Sequence, residues 1–213
     1  MDVEIYKVPR FENDEVLFKL INWRNVDVKA LCEEDAYLKE KVNKFNLYNT
    51  SMLGFEPFKD RPSLRGYDSS TILVSSIYTA AVERMNNIPH SELLDKIKES
   101  LKYDPNNRRV VVRFLNSFDE YMAPRDKKLD VSCLAFIQYI KLDGKLNVKI
   151  CYRASDIKNE LWYDIITIYN SFVHPVDQRA VDMTFYSSTS QNITSFNTTL
   201  LKLREVQTKY AEQ

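Results

Sequence analysis

Residues 129–164 read LDVSCLAFIQYIKLDGKLNVKICYRASDIKNELWYD, and the fold turns on how this stretch is read. Cys133–Lys141 is an apolar, aromatic-bearing run, Asp143-Gly144 is the dipeptide of a two-residue turn, and Lys145–Arg153 alternates apolar and polar positions. Together they predict a β-hairpin. In the return strand Leu146, Val148, Ile150 and Tyr152 share one face; Lys149, Cys151 and Arg153 share the other. A loop then leads to Asp164, where an acidic start suited to the helix dipole opens a helix over Asp164–Phe172. One short stretch therefore carries a thiol (Cys133), a guanidinium (Arg153) and a carboxylate (Asp164).

Working outward, Arg109–Leu115 (RVVVRFL) reads as a β-branched strand. Upstream of it, 91–103 is the clearest helix, with Ser91 as N-cap after Pro89 and Leu93, Leu94, Ile97 and Leu101 as its apolar stripe. The DPNN segment at 104–107 ends it as a turn. Thr71–Met85 fits a buried helix, and 46–70 is loop-like in its Gly, Pro, Asp and Ser content. Glu33–Phe45 spaces Tyr37, Leu38, Val42 and Phe45 as a helix. Residues 1–30 show short apolar patches without clear periodicity. Downstream, Met183–Ser187 reads as a strand, and Phe196–Val206 as a helix that docks through Leu200, Leu201 and Leu203. Without repeats, low-complexity segments or a linker, the expectation is one α+β domain over residues 1–213.

Composition narrows the function. Thirty basic and thirty acidic residues leave no net charge, so neither nucleic acid nor a membrane surface is the expected partner. A bound anion should be small and gripped by a few arginines. No apolar run reaches the length of a membrane span, and the start MDVEIYKVPR lacks the layout of a signal peptide; the expected location is cytoplasmic. Three cysteines without a CxxC argue against a disulfide framework or zinc, and no metal site is expected. Two histidines leave little for a Ser-His-Asp or Cys-His arrangement, and three glycines exclude a Gly-rich phosphate loop.

Four pieces in order resemble thymidylate synthase and the pyrimidine-nucleotide hydroxymethylases that share its fold. Asp104–Val112 (DPNNRRVVV) is similar to that family's DPxSRR segment, Cys133 with Gln138 to its nucleophile strand, Arg153 and Asp156 to its arginine-x-x-aspartate signature, and Asp182–Tyr186 (DMTFY) to its later Asp-x-His-x-Tyr segment. The resemblance implies a thymidylate-synthase-like fold, a mixed β-sheet flanked by helices, and a homodimer. It implies Cys133 as nucleophile, and Arg108 and Arg109 reaching the phosphate of a nucleotide monophosphate in the partner, beside Arg153. Gln138, Ala154, Thr184 and Tyr186 would line the substrate. Asp156 and Trp162 would face the folate, 5,10-methylenetetrahydrofolate being the one-carbon donor.

The chemistry suits these residue types. Carbon 5 of a pyrimidine becomes nucleophilic once a thiolate adds at carbon 6, and a nearby arginine favours the thiolate. Guanidinium groups give bidentate, permanently charged contacts to phosphate. Asp164 stands where thymidylate synthase has the asparagine that reads uracil. Cytosine reverses uracil's N3 and position-4 pattern, so an acid there favours cytosine. Ala154 replaces the usual serine and leaves room for a ribose hydroxyl. The expected function is CMP 5-hydroxymethylation with water capturing the exocyclic methylene. The alternatives are a dCMP hydroxymethylase, a thymidylate synthase, or a catalytically degenerate nucleotide-binding homologue. Leu134, Thr184 and a glycine-free 157–163 loop depart from the family pattern. So does Asn43, with Glu40 nearby, at the position of its N-terminal glutamate.

Overall fold

The computed structural model describes residues 2–4, 15–36, 88–104, 106–115 and 133–211. Within them the centre is the hairpin of β4 (Leu134–Leu142) and β5 (Lys145–Tyr152). Asp143 and Gly144 both sit at positive φ, 51° and 76°, the backbone a two-residue turn between twisted strands requires. No heavy atom would crowd a Cβ at Gly144, so backbone conformation rather than space selects glycine there.

Four further strands complete one sheet: β1 (Asp2–Glu4), β2 (Val16–Trp23), β3 (Val110–Arg113) and β7 (Val181–Ser187). Its order is β1-β2-β7-β5-β4-β3. The β5–β7 pair is parallel and the other pairs are antiparallel. A parallel pair needs a crossover, and here it is α3 (Leu161–Ile168) running into a π-helical turn at Tyr169–Val173. Two short strands, β6 (Ser155–Asp156) and β8 (Ser190–Gln191), form a separate parallel pair. Among the described residues the other α-helices are α1 (Val28–Glu34), α2 (His90–Tyr103) and α4 (Phe196–Tyr210). The architecture is α+β with a mixed sheet.

One sheet face builds the core. Phe18, Leu20, Val112, Ile137, Tyr139, Val148, Ile150, Met183 and Phe185 are all buried there. Against them the crossover brings Ile165, Ile168, Tyr169 and Phe172, spaced i, i+3, i+4, i+7 and each 0% exposed. The Tyr139 hydroxyl donates to the Phe172 carbonyl at 3.0 Å, tying the sheet to the π turn. Burial pushes that phenol well above its ordinary range, so it remains a donor.

Several expectations shift. The patch at 16–23 is a strand: Val16, Phe18 and Leu20 alternate inward, but the register breaks between Leu20 and Trp23, where Asn22 has φ 55°. That bulge hides the period-2 signal. The first helix begins at Val28, capped by Asp27 accepting from Ala30 N–H, and ends at Asp35. The expected span 33–45 therefore meets a helix end, and its part beyond Ala36 lies outside the described residues, as does the expected helix 71–85. Ser91 is not the N-cap of α2, for Pro89 holds that place without a side-chain hydrogen bond. The crossover helix begins at Leu161, before Asp164, and α4 continues to Tyr210 with Leu201 61% exposed rather than docked.

Candidate functional site

The hairpin extends one pair beyond β5: Arg153 N–H donates to Cys133 O at 2.9 Å, following the Leu134–Tyr152 register pair. The predicted nucleophile and the predicted phosphate-binding arginine are thus cross-strand neighbours at one end of the sheet. Leu134 and Tyr152 are buried, whereas Cys133 and Arg153 are exposed. Successive strand residues face opposite sides, which separates these two environments; the register shift lies beyond them, between Leu134 and Phe136. Leu134 itself, 0% exposed, belongs to the core. Cys151 differs from Cys133. It is half-buried in mid-strand between Phe136 and Tyr186, and burial pushes its thiol up against a smaller opposing influence from Lys149. It is suited to packing rather than reaction.

Beyond Arg153 the chain is pinned to the 187–191 segment. Ser188 Oγ donates to Arg153 O at 2.7 Å, Ser155 N–H to Thr189 O at 3.0 Å, and Ile157 N–H to Gln191 O at 3.1 Å. Ala154 is half-buried between these anchors. Asp156 organises the turn that follows, accepting from the Lys158 and Asn159 N–H groups and from the Asn159 and Asn192 amides. Burial raises its carboxyl, but those four donors outweigh it and hold the group below the ordinary carboxylate range. With these donors as partners, Asp156 serves the loop.

Asp164 sits in the first turn of α3, 8% exposed, and its N–H donates to Glu160 O at 2.8 Å. It is a helical residue and not a cap. Trp162, 2% exposed, has Lys202 Nζ 3.6 Å from its ring centroid and Tyr163 edge-on at 6.4 Å. In this conformation it has no open face for a pterin. Neither of the two residues expected on the folate side, Asp156 and Trp162, therefore fits that group as the chain stands.

The other expected substrate contacts divide by position along the sheet. Tyr186 pairs in register with Cys151, near the Cys133 end, and its hydroxyl donates to Glu15 Oε1 at 3.1 Å. Desolvation and Glu15 both raise that phenol, so it stays protonated. Glu15 had no signal of its own in the sequence. Gln138 and Thr184 flank Lys149 in a row across mid-sheet, and the Gln138 amide donates to Arg108 O at 2.7 Å. Arg108 and Arg109 are exposed just before β3, whose first residue pairs with Tyr139. Tyr139 is six residues along β4 from the position of Cys133, about 20 Å at strand rise. A single chain does not bring this arginine pair to Cys133. Asp182 is at the far end too, bound to Lys145, Lys19 (3.3 Å) and the Asn22 N–H (3.0 Å).

Among the described residues no group of three or more His, Cys, Asp or Glu side chains converges as a metal site, and no helix is long and apolar enough to cross a membrane. Compared with the sequence models of known protein families, the chain matches none.

Proposed function

We propose that this chain is a cytidylate 5-hydroxymethylase of thymidylate-synthase-like fold, acting as a homodimer. The observation that carries the reading is the backbone pairing of Cys133 with Arg153, a thiol and a guanidinium together at an exposed sheet end. The mixed sheet with its helical crossover is consistent with that fold. So is the order of four matched sequence pieces.

In this reading the Cys133 thiolate adds to C6 of the cytosine ring, the π electrons move onto C5, and C5 becomes the nucleophile. The donor, 5,10-methylenetetrahydrofolate, would supply the one-carbon unit: its methylene would bond to C5, the C5 proton would be lost and tetrahydrofolate would leave. Water would then add to the resulting exocyclic methylene, and expulsion of the Cys133 thiolate would restore the ring double bond. Asp164 meets N3 and the 4-amino group, with Arg153 on the phosphate and Tyr186 on the ribose. Arg108 and Arg109, about 20 Å along the sheet from their own Cys133, join the phosphate of the neighbouring copy's nucleotide. The separation is why the reading requires two chains. No step is routed through Asp156 or Trp162, since both are engaged internally.

The test is incubation of purified protein with methylenetetrahydrofolate and CMP, dCMP or dUMP, followed by separation of products. The expected result is a 5-hydroxymethylated cytidine nucleotide, absent in Cys133→Ser. Product from dUMP alone would overturn the reading of Asp164. Tight nucleotide binding without any product would leave a binding protein.

A further inference from the structure

Glu15 has no role in the arrangement described above, yet the sheet carries it to the Cys133 end. Val16 pairs with Ser187, Ser187 with Tyr152, and Tyr152 with Leu134. One residue further on, Glu15, Ser188, Arg153 and Cys133 form the next row across the same four strands. Ser188 Oγ donates to Arg153 O at 2.7 Å and Arg153 N–H to Cys133 O at 2.9 Å, which ties that row together. The row of Val16, Ser187, Tyr152 and Leu134 is buried, so the next one faces the opposite side of the sheet. Tyr186, the partner of Leu17, shares that side and meets Glu15 diagonally. Its hydroxyl donates to Glu15 Oε1 at 3.1 Å. Both side chains are only half-buried, so a ligand can reach the pair.

That bond fixes the polarity of both groups. A carboxylate only accepts, so the phenol hydrogen is committed to Glu15 and the Tyr186 oxygen is left with its lone pairs. Glu15 Oε2 takes no hydrogen bond from a described residue. The pair therefore presents two neighbouring acceptors and no donor. Such a pair rejects a phosphate and suits two adjacent hydroxyls on one small molecule, as on the cis 2′,3′-diol of a ribose. Carboxylates bind ribose hydroxyls at dinucleotide sites through the same chemistry. We propose that Tyr186 accepts from the 3′-hydroxyl and Glu15 from the 2′-hydroxyl of the bound nucleotide, so that Glu15 selects ribose over deoxyribose. The inference rests on the nucleotide reading above and adds Glu15 to it. Across the row Arg153 stands two strand spacings from Glu15, about 10 Å between backbones, with Cys133 one spacing beyond. In a nucleotide with its base anti, C6 lies on the 5′ side of the sugar. The thiol and the phosphate arginine thus fall together on one side of the diol.

The experiment titrates CMP and dCMP calorimetrically into wild type, Glu15→Ala, Glu15→Gln and Tyr186→Phe. Wild type is expected to bind CMP at least about tenfold more tightly than dCMP, as one hydrogen bond to a charged group implies. Glu15→Ala should remove that preference, weakening CMP about tenfold while dCMP changes less than about threefold. Glu15→Gln keeps the side-chain length and an acceptor for Tyr186, and should shift the ratio in the same sense by a smaller factor. Should the alanine variant not fold, an unchanged ratio in Glu15→Gln overturns the proposal. Tyr186→Phe should weaken both nucleotides alike, since both carry the 3′-hydroxyl. The proposal is overturned if wild type binds the two sugars equally or binds neither. It is equally overturned if Glu15→Ala leaves the preference intact, or weakens CMP and dCMP by one common factor, the signature of a merely structural residue. A ribose preference that tracks Glu15 in a protein forming no hydroxymethylated product would keep this inference and remove the proposed activity. Product from CMP with a preference indifferent to Glu15 would do the reverse.

Discussion

Asp182→Asn isolates one buried charge whose surroundings are fully specified. The side chain is 12% exposed and binds Lys19 at 3.3 Å, Lys145, and the Asn22 N–H at 3.0 Å. The last contact stitches the β2 bulge to β7. A charge-assisted hydrogen bond contributes about 1.5–3 kcal/mol when well buried. The two lysines are 25% and 34% exposed, so solvent screening reduces their share to about 1 kcal/mol each. With the Asn22 contact retained in weaker form, the substitution should cost about 2–3 kcal/mol at pH 7. That corresponds to roughly 5–10 °C in Tm for a domain of this size. The deficit should also depend on pH in a definite sense. Burial raises the Asp182 carboxyl, but the bonds from Lys145, Asn22 and Lys19 outweigh it and leave it below its ordinary value. A carboxyl depressed in the folded state stabilises fully above its unfolded pKa of about 3.9 and loses that contribution as pH falls through the folded value. Urea unfolding of both proteins at pH 7, 5 and 3 measures this. The gap should be full at pH 7 and 5 and shrink at pH 3. A gap under about 0.5 kcal/mol at pH 7, or one that stays constant down to pH 3, would refute the assignment.

Three further outcomes are expected. Tyr139→Phe leaves the buried Phe172 carbonyl without its 3.0 Å donor and should cost about 1–2 kcal/mol in chemical denaturation; a loss confined below a few tenths would mean water replaces the hydroxyl. Timed alkylation followed by peptide mass spectrometry should modify exposed Cys133 at least about tenfold faster than half-buried Cys151, whose thiol burial pushes up. Equal rates would remove the contrast between the two thiols. Asp164→Asn should lower turnover of cytidylate by about 100-fold or more and gain uridylate binding, as a base-reading residue requires. Unchanged cytidylate kinetics would reduce Asp164 to a component of α3.

What could be read along the chain was local. The β4–β5 hairpin is encoded within twenty residues by alternation and an Asp-Gly turn, and its boundaries in the structure differ from the reading by one residue at each end. The stripe of α2 was legible for the same reason: Leu93, Leu94, Ile97 and Leu101 are buried as their spacing implies. Where local signals competed, the reading slipped. Asn22 shifts the parity of β2, and the apolar Leu161 and Trp162 belong to the crossover helix rather than to a loop.

The sequence by itself determined an α+β chain with a thiol and a guanidinium at the two ends of one hairpin, because residues brought together by a short turn need no distant partner. Tertiary structure alone decided that β5 lies parallel to β7, that Ser155 faces Ser190, and that Arg108 and Arg109 stand about 20 Å from Cys133. Those relations depend on which strands bury their shared face together, and that choice is made by the whole core rather than by any one stretch.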